Sequence, residues 1–231
     1  MRIVAPTSIV DAQVIALGRL ELQDFTLVVN EDIRTQLTHH VGRHWMIDQL
    51  TVADIEDMMP FIPENTTQVV DLCCGSGRVS IALDRLVLRG KAKFWLVDGN
   101  VKAEVENIKR HWDRYRNDRM ARFYNKRDLT EECCRLNDFI SYEYIEANEN
   151  LEWSRYPTEV DLLFSNRGIG CHWPLKLYES VFPRILKDGA TCIFMNGEVL
   201  GDIPDYFSTV AVVPEKIQDR ELIVLRYNAE L

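Results

Sequence analysis

Residues 69–79 read Val-Val-Asp-Leu-Cys-Cys-Gly-Ser-Gly-Arg-Val, and this stretch decides which fold the chain is expected to have. An apolar run ends near Asp71, passes through a glycine turn and continues into a helical pattern that begins near Val79. Gly75 and Gly77 have no Cβ, so the backbone can take positive φ there and its N–H groups can approach a ligand closely. The pattern predicts a strand, a ligand-binding turn and a helix.

The acid in this stretch indicates what kind of ligand suits the turn. A dinucleotide-binding fingerprint spaces three glycines as G-x-G-x-x-G directly after an apolar strand. Here Ser80 stands at the third glycine position, and Asp71 stands where that motif expects an apolar residue. A negative charge at this place suits a ligand with an ammonium and a sulfonium group better than one with a pyrophosphate.

These residues resemble the first motif of the class I S-adenosylmethionine-dependent methyltransferases, which reads roughly apolar-apolar-Asp-x-Gly-x-Gly-x-Gly. Cys73 stands where that family usually has its first glycine, a mild departure because cysteine is small. The resemblance runs from residue 69 to the end of the chain. It implies an α/β fold with a doubly wound, Rossmann-like sheet of about seven strands, the last one antiparallel. It also implies S-adenosylmethionine as the cofactor and S-adenosylhomocysteine as the product.

Further cofactor residues follow along the chain in the order that the family shows. Residues 93–98 read as a strand that ends in Asp98, where an acid can accept both ribose hydroxyls; an Asp-Gly-Asn turn is the alternative. The third strand is expected at 121–125, ahead of Asp128, which matches the family position that binds the adenine amino group; a turn aspartate is the alternative there. The cofactor contacts that the resemblance implies are those of Asp71, Cys73, Gly75, Gly77, Asp98, Gly99, Asp128, Leu129 and Ser165.

Composition narrows the class of protein. The chain has 231 residues and a net charge of −9, which argues against a nucleic acid as the main substrate. Its six cysteines show neither zinc-site spacing nor the pattern of a small secreted scaffold, so reduced thiols are expected. The sequence shows no signal peptide and no run of membrane-spanning length. We therefore expect a soluble, cytoplasmic protein without a membrane partner, and the sequence leaves a homodimer open.

The chain is expected to divide into two parts. Residues 1–65 precede the first core strand as an N-terminal leader, and the family resemblance implies that such a leader covers the cofactor or shapes the acceptor pocket. Residues 66–231 would form the methyltransferase core, with an acidic insert at about 129–159 that is long for a simple connection. Within the leader, residues 25–29 read as a short strand, and residues 51–54 resemble a capping box at the start of a helix.

The residues after the fourth expected strand, 160–166, bear on the acceptor. They read Arg-Gly-Ile-Gly-Cys-His-Trp-Pro at 167–174, without the Asn/Asp-Pro-Pro-aromatic motif of methyltransferases that act on amino groups. The stretch resembles the small-molecule branch of the family. His-Trp-Pro followed by Tyr178 is also weakly similar to sugar O-methyltransferases. The resemblance therefore implies a small polar acceptor, methylated at a hydroxyl or carboxylate oxygen.

His172 is the candidate general base, because the unperturbed pKa of histidine lies near neutrality. A hydroxyl acceptor would need such a base, whereas a carboxylate acceptor would not. In the alternative interpretation, His172 and Trp173 cap the next helix and pack under the sheet. Asn166, Trp173, His39 and His44 are expected to line the acceptor pocket. His40 and His44 lie four residues apart but lack a third ligand at suitable spacing, so no metal site is expected.

Two other functions remain open at this stage. An RNA or protein methyltransferase would use residues 109–127, in which arginines and lysines alternate with aromatic residues, as an exposed basic face. Helical spacing, with the aromatic residues facing the core, explains the same stretch. The second is a non-catalytic protein that has the methyltransferase fold and binds the cofactor without transferring its methyl group.

Overall fold

A seven-stranded sheet forms the centre of the structure, which is a computed structural model. Its strands are β1 Gln68–Leu72, β2 Lys93–Asp98, β3 Tyr142–Glu146, β4 Val160–Asn166, β5 Leu186–Met195, β6 Phe207–Pro214 and β7 Glu221–Tyr227. Their order across the sheet is β3-β2-β1-β4-β5-β7-β6. The first five strands pair in parallel, and β7 runs antiparallel to both of its neighbours. The expected doubly wound sheet with an antiparallel last strand is confirmed.

Helices cover both faces of this sheet. The structure describes residues 25–34, 47–99, 127–147, 155–166, 168–169, 175–195, 200, 203–214 and 221–229. The helices are α1 Ile47–Met58, α2 Arg78–Leu83, which continues as a π-helical turn Asp84–Leu88, α3 Arg127–Leu136 and α4 Phe182–Ile185, with 3-10 turns at Met59–Phe61 and Leu175–Tyr178. Among the described residues, no helix has the length and apolar character needed to cross a membrane.

The core lies on both sides of the sheet. Neighbouring residues of β1 alternate between the two sides: Val69 packs with Ile55 of α1, and Val70 packs with Phe182 of α4. All four side chains are fully buried. Because both faces of the parallel strands are covered, these strands read as continuous apolar runs in the sequence. This is why β1, β2 and β4 could be located from the sequence.

The expected strand at residues 25–29 is not a strand in the structure. Phe25 and Leu27 are buried and Val28 is exposed, so the side chains do alternate as they would in a strand. Among the described residues, no strand pairs with this stretch, and side chains bind its backbone instead: Asp48 accepts the N–H of Leu27 at 2.9 Å, and Asn137 accepts the N–H of Val28 at 2.9 Å.

The expected capping box at residues 51–54 is also corrected. Both of its end residues lie inside α1 and are buried, Thr51 at 0% exposure and Asp54 at 3%. The Thr51 hydroxyl donates to the carbonyl of Ile47 at 2.7 Å instead of capping a helix start. Arg78, at the start of α2, donates to the Thr51 hydroxyl at 2.8 Å and to Asp54 Oδ2 at 2.6 Å. These residues join the leader to the core.

The segment 129–159, expected as an insert, contains part of the core. Helix α3 runs to Leu136 within it, and β3 pairs with β2 along its whole length. The third strand of the sheet is therefore β3, whereas the strand expected at 121–125 lies outside the described residues. The sequence did not predict β3 because this strand lies at the edge of the sheet and is buried mainly at Ile145. Its other side chains are polar or acidic, so it lacks the apolar pattern of a core strand.

The buried ion pair between Arg78 and Asp54 makes a prediction about stability. Replacing Asp54 with Ala leaves the guanidinium buried without its carboxylate, which should lower the free energy of unfolding by about 3–5 kcal/mol. Denaturant unfolding measures this loss. Glu143→Ala, which breaks the exposed pair with Lys93, should cost far less.

A double variant, Asp54→Leu with Arg78→Met, separates the charge from the packing. Replacing both partners with apolar side chains should recover most of the lost stability, because no unpaired charge is then buried. If Asp54→Ala unfolds as readily as Glu143→Ala, water rather than the carboxylate compensates Arg78, and the ion pair is not the link described above.

Candidate functional site

The candidate site lies where the strand order reverses. β1 pairs with β2 on one side and with β4 on the other, both in parallel, so the carboxyl ends of these strands share one edge of the sheet. In open parallel sheets, ligands bind in the crevice outside the carboxyl ends at this switch point. The glycine turn follows β1 directly, and the N–H groups of Cys73 and Cys74 donate to the carbonyl of Val97 at 2.8 and 3.1 Å.

The turn is held open at Gly75. This residue has φ of +55°, and a Cβ built on it would meet no atom of the described residues within 4 Å. Its N–H donates to Asp98 Oδ2 at 2.7 Å, and its carbonyl accepts the hydroxyl of Thr130 in α3 at 2.6 Å. Gly77 has φ of +76°, at the last position before α2. Both residues could be predicted from the sequence, and their conformations favour glycine.

Asp98 stands at the carboxyl end of β2 and is half-buried. Besides the bond from Gly75, it accepts the N–H of Gly99 at 2.7 Å through its other oxygen. Burial raises the pKa of Asp98 to about 6, while the two backbone N–H groups oppose that rise. A carboxylate offers about four lone-pair sites, so each oxygen keeps one for a further donor. The arrangement fits a pair of ribose hydroxyls.

Asp71 lies beneath the turn. Its side chain is 1% exposed, on the face of β1 that packs against α2, and Oδ2 accepts the hydroxyl of Ser80 at 2.7 Å. Oδ1 is buried without a hydrogen-bond partner in the described part of the chain. Burial raises the pKa of Asp71 to about 8, with the nearby Asp98 adding to the shift. The structure therefore places this carboxyl under the crevice rather than at its surface.

Cys73 has φ of +63°, the left-handed conformation in which a side chain costs roughly 1–2 kcal/mol. The family has glycine at this position, and the backbone keeps the glycine conformation although the side chain is present. Gly168 faces it: a Cβ built on Gly168 would lie 2.2 Å from Cys73 Cβ and 2.7 Å from its Sγ. The Cys73 side chain therefore occupies the space that Gly168 leaves.

Two polar residues end β4. Ser165 is fully buried; its hydroxyl donates to the Leu72 carbonyl at 2.7 Å and accepts the N–H of Ile169 at 3.0 Å, so it joins β4 to the end of β1. Asn166 donates its side-chain NH₂ to Asp54 Oδ2 at 2.8 Å. Its carbonyl oxygen is buried and makes no hydrogen bond within the described residues.

The other expected cofactor residues lie on the β2 and α3 side. The carbonyl of Gly99 accepts the hydroxyl of Tyr144 at 2.7 Å. Asp128 is exposed in the first turn of α3, and Leu129 is half-buried against the core cluster on that face. Asp128 thus precedes β3 on a helix instead of following the third strand. Asp128 nevertheless lies near the carboxyl edge of the sheet, because Thr130 in the same turn of α3 donates a hydrogen bond to the carbonyl of Gly75.

The acceptor side is described only in part. His172, Trp173, His39 and His44 lie outside the described residues, as does the basic stretch from 109 to 126. Within the part that is described, no three His, Cys, Asp or Glu side chains come together as a metal site would require. The structure thus brings Asp98, Gly75, Gly77, Cys73 and Ser165 to the carboxyl ends of β1, β2 and β4, at one edge of the sheet.

Sequence reasoning missed Thr130, Arg78 and Asp54. Arg78 could have been noticed, because an arginine between Gly77 and the apolar helix start must be buried and needs an acidic partner. Asp54, among the apolar residues of α1, carries the same signal. Thr130 gives no local signal, since its contact with Gly75 spans 55 residues of the chain.

The buried Asp71 predicts how stability depends on pH. Its pKa is raised from 3.8 to about 8 in the folded chain, so the folded state holds the proton more tightly than the unfolded state. Stability from this group is present below the unfolded pKa and is lost as pH rises through the folded one. Relative to Asp71→Asn, an uncharged isostere, the wild type should lose roughly 1 kcal/mol per pH unit within that window.

Denaturant unfolding at about pH 5 and pH 8 measures the difference between the two proteins. Asp161→Asn serves as a control. Although burial opposes it, hydrogen bonds from Thr67, Gln68 and Lys187 lower the pKa of Asp161, so its effect should be flat over this range. A constant stability difference between the wild type and Asp71→Asn would show that Asp71 stays ionised in the fold.

Known proteins match this chain through its fold. No protein-family model and no curated protein sequence matches it. The Escherichia coli protein yhhF, named as a methyltransferase, is 14% identical, with 79% of this chain and 86% of that chain covered and a TM-score of 0.50. A Nostoc punctiforme protein named as an O-methyltransferase is 13% identical, with coverage of 92% and 68% and a TM-score of 0.50. An rRNA methylase from Streptococcus thermophilus is 14% identical, with coverage of 74% and 92% and a TM-score of 0.46. With the strand order and the switch-point crevice described above, the chain has the fold of the class I S-adenosylmethionine-dependent methyltransferases.

Proposed function

We propose that the protein is an enzyme that transfers the methyl group of S-adenosylmethionine to an oxygen atom of a small polar metabolite. The observation that carries this proposal is the bond between Asp98 and Gly75 at the switch point. It sets a carboxylate with spare acceptor capacity beside an open glycine turn. The negative charge of this carboxylate would repel a pyrophosphate, whereas its oxygens can accept hydrogen bonds from the hydroxyls of a ribose.

Different residues would bind different parts of the cofactor. Asp98 would accept the ribose hydroxyls, and the turn with Gly75 and Gly77 would seat the methionine part. Asp128 and Leu129 would lie toward the adenine at the same edge. When bound, the cofactor supplies a methyl group that its sulfonium already makes electrophilic. The protein then has to hold the acceptor oxygen in line with that group and exclude water.

Asn166 supports an acceptor that carries a hydroxyl. The Asp54 carboxylate can only accept hydrogen bonds when ionised, so the amide NH₂ of Asn166 must face it and the amide oxygen must point elsewhere. An oxygen in that position can accept a hydroxyl hydrogen and would repel a carboxylate. His172, in this proposal, accepts the proton that the hydroxyl loses as it attacks, and Trp173, His39 and His44 line the pocket.

The chain's charge and thiols support the rest of the proposal. A net charge of −9 favours a small metabolite over a nucleic acid as the acceptor. The five cysteines that the structure describes carry free thiols, in keeping with a cytoplasmic location. A nucleic acid or a protein as acceptor is a possible outcome of the acceptor screen described below.

Cofactor binding tests the role of Asp98. Calorimetry should detect binding of S-adenosylmethionine and S-adenosylhomocysteine and no heat from NAD. Asp98→Ala should weaken binding at least about tenfold, since each hydrogen bond to a charged group contributes about 1.5–3 kcal/mol. Because the pKa of Asp98 is about 6, the wild type should also lose affinity as pH falls below that value, by up to about tenfold per pH unit.

Asp84→Ala is the matched control for this experiment. Asp84 also accepts a glycine N–H, that of Gly90 at 3.2 Å, but it follows α2 at the other end of that helix. This variant should bind S-adenosylhomocysteine as the wild type does. Binding of NAD in place of the S-adenosyl ligands would overturn the proposed function. An unchanged dissociation constant for Asp98→Ala would remove only the ribose role.

Methyl transfer tests the role of His172. With methyl-labelled S-adenosylmethionine and an extract of small metabolites, the wild type should label a small molecule. His172→Ala should slow labelling by roughly a hundredfold or more, the usual effect of losing a general base, with cofactor affinity nearly intact. The wild-type rate should rise with pH through the titration of the histidine, and the variant should lose that rise.

The pattern of results separates the alternatives. Equal labelling rates with an intact pH profile would exclude His172 as the base. If RNA or protein in a whole extract is labelled and no small metabolite is, the proposed acceptor class is wrong. The protein would still be a methyltransferase. Cofactor binding without labelling of any acceptor would instead support a non-catalytic binding protein.

A further inference from the structure

The half-buried Cys73 side chain lies at the carboxyl ends of β1 and β4, next to the switch point, and packs against the core cluster on the α4 face of the sheet. Cys73 is the first residue after β1, and its side chain approaches Gly168, two residues beyond the end of β4. The side chains of Ser165 and Tyr178 lie beside its thiol. Ser165 is itself bonded to the carbonyl of Leu72 at the end of β1. The side chain therefore fills the gap between the two strand ends.

The thiol contributes volume there and no charge. Burial raises the pKa of the Cys73 thiol well above its usual value, and the carboxyl groups of Asp98 and Asp71 raise it further. The side chains of Ser165 and Tyr178, which contact it, are uncharged, and both are almost fully buried. A neutral, half-buried thiol can shape a pocket but cannot attract an ionic part of a ligand.

The position of this side chain selects one part of the ligand. Asp98 ends β2, on one side of β1, and would hold the ribose in the proposed function. Cys73 projects toward β4, on the opposite side of β1. A ligand whose ribose lies at Asp98 would extend its amino-acid part across the turn toward Cys73. Only that part would meet the thiol.

We propose that Cys73 determines the affinity and selectivity of the cofactor pocket, because its side chain narrows the crevice where the amino-acid part of the S-adenosyl ligand would lie. This inference rests on the proposed function. It also explains the glycine at position 168. With a side chain at position 73, the facing residue can have none, since its Cβ would lie 2.2 Å from Cys73 Cβ.

A glycine at position 73 should therefore improve binding. Cys73→Gly removes the side chain from the crevice and suits the observed φ of +63°. By calorimetry, its affinity for S-adenosylhomocysteine should rise by about tenfold over the wild type. Its affinity for adenosine, which lacks the amino-acid part, should stay within about twofold. Cys73→Ala, which keeps Cβ and loses Sγ, should lie between the two.

Cys74→Gly is the matched control for turn flexibility. It places a new glycine in the same turn, but the Cys74 side chain packs in the core cluster on the other face of the sheet. The S-adenosylhomocysteine affinity of this variant should not rise. If it rises as much as that of Cys73→Gly, flexibility rather than volume explains the gain, and the inference is overturned.

Gly168 provides a second, reciprocal test. Gly168→Ala alone should lower the melting temperature, because its Cβ would collide with Cys73 and with Ser165 Oγ, 2.9 Å away. In the Cys73→Gly background, the same change should lower the melting temperature less, because only the contact with Ser165 Oγ then remains. It should also bring the S-adenosylhomocysteine affinity back toward the wild-type value, because a side chain from either position fills the same space.

The outcomes separate this inference from the proposed function. Equal binding of S-adenosylhomocysteine by the wild type and Cys73→Gly overturns the inference and leaves the proposed function intact. Equal gains for S-adenosylhomocysteine and adenosine also overturn it, since the selectivity is then absent. If neither protein binds S-adenosylhomocysteine, the proposed function fails and the inference fails with it.

Discussion

The arrangement of the site depends on one buried ion pair, that of Arg78 with Asp54. Arg78 is 7% exposed and directly follows Gly77, so the position of its guanidinium and the end of the glycine turn are fixed together. Asp54 receives a second hydrogen bond from Asn166 at the end of β4. A single carboxylate on α1 therefore connects the helix after the glycine turn with the end of β4. Charges buried in this way hold a specific geometry because any other arrangement leaves one of them unpaired.

The turn itself is held from two further directions. Asp98 on β2 takes the N–H of Gly75, and Thr130 on α3 donates to its carbonyl. Both backbone polar groups of Gly75 are thus engaged by side chains, and no atom of the described residues lies where its Cβ would point. A turn fixed before a ligand arrives loses little conformational freedom when it binds, which favours affinity. The ordering is achieved by contacts behind the turn, not by contacts in the pocket.

Sequence reasoning succeeded where a signal is local. The apolar runs of β1, β2 and β4 and the spacing of Asp98 after the glycines are all visible within short windows. It failed where a residue's role depends on a distant partner. The residues at 51–54 resemble a capping box, but Asp54 is bonded to Arg78, 24 residues away, and to Asn166, 112 residues away. β3 was missed because it is a partly exposed edge strand whose polar side chains disguise its period. Asp71 was expected to contact the cofactor, and the structure places its side chain on the face of β1 that packs against α2.

Positions 73 and 168 constrain the order in which this sequence can change. A chain with glycine at both positions has room to spare, and a chain with a side chain at only one of them can still fold around the other. Side chains at both positions would force two β-carbons to within 2.2 Å of each other, so the fold excludes that combination. Any route that moves the side chain from one position to the other must therefore pass through the double glycine. In relatives of this chain, residue identities at the two positions should be anticorrelated, although they lie 95 residues apart in sequence.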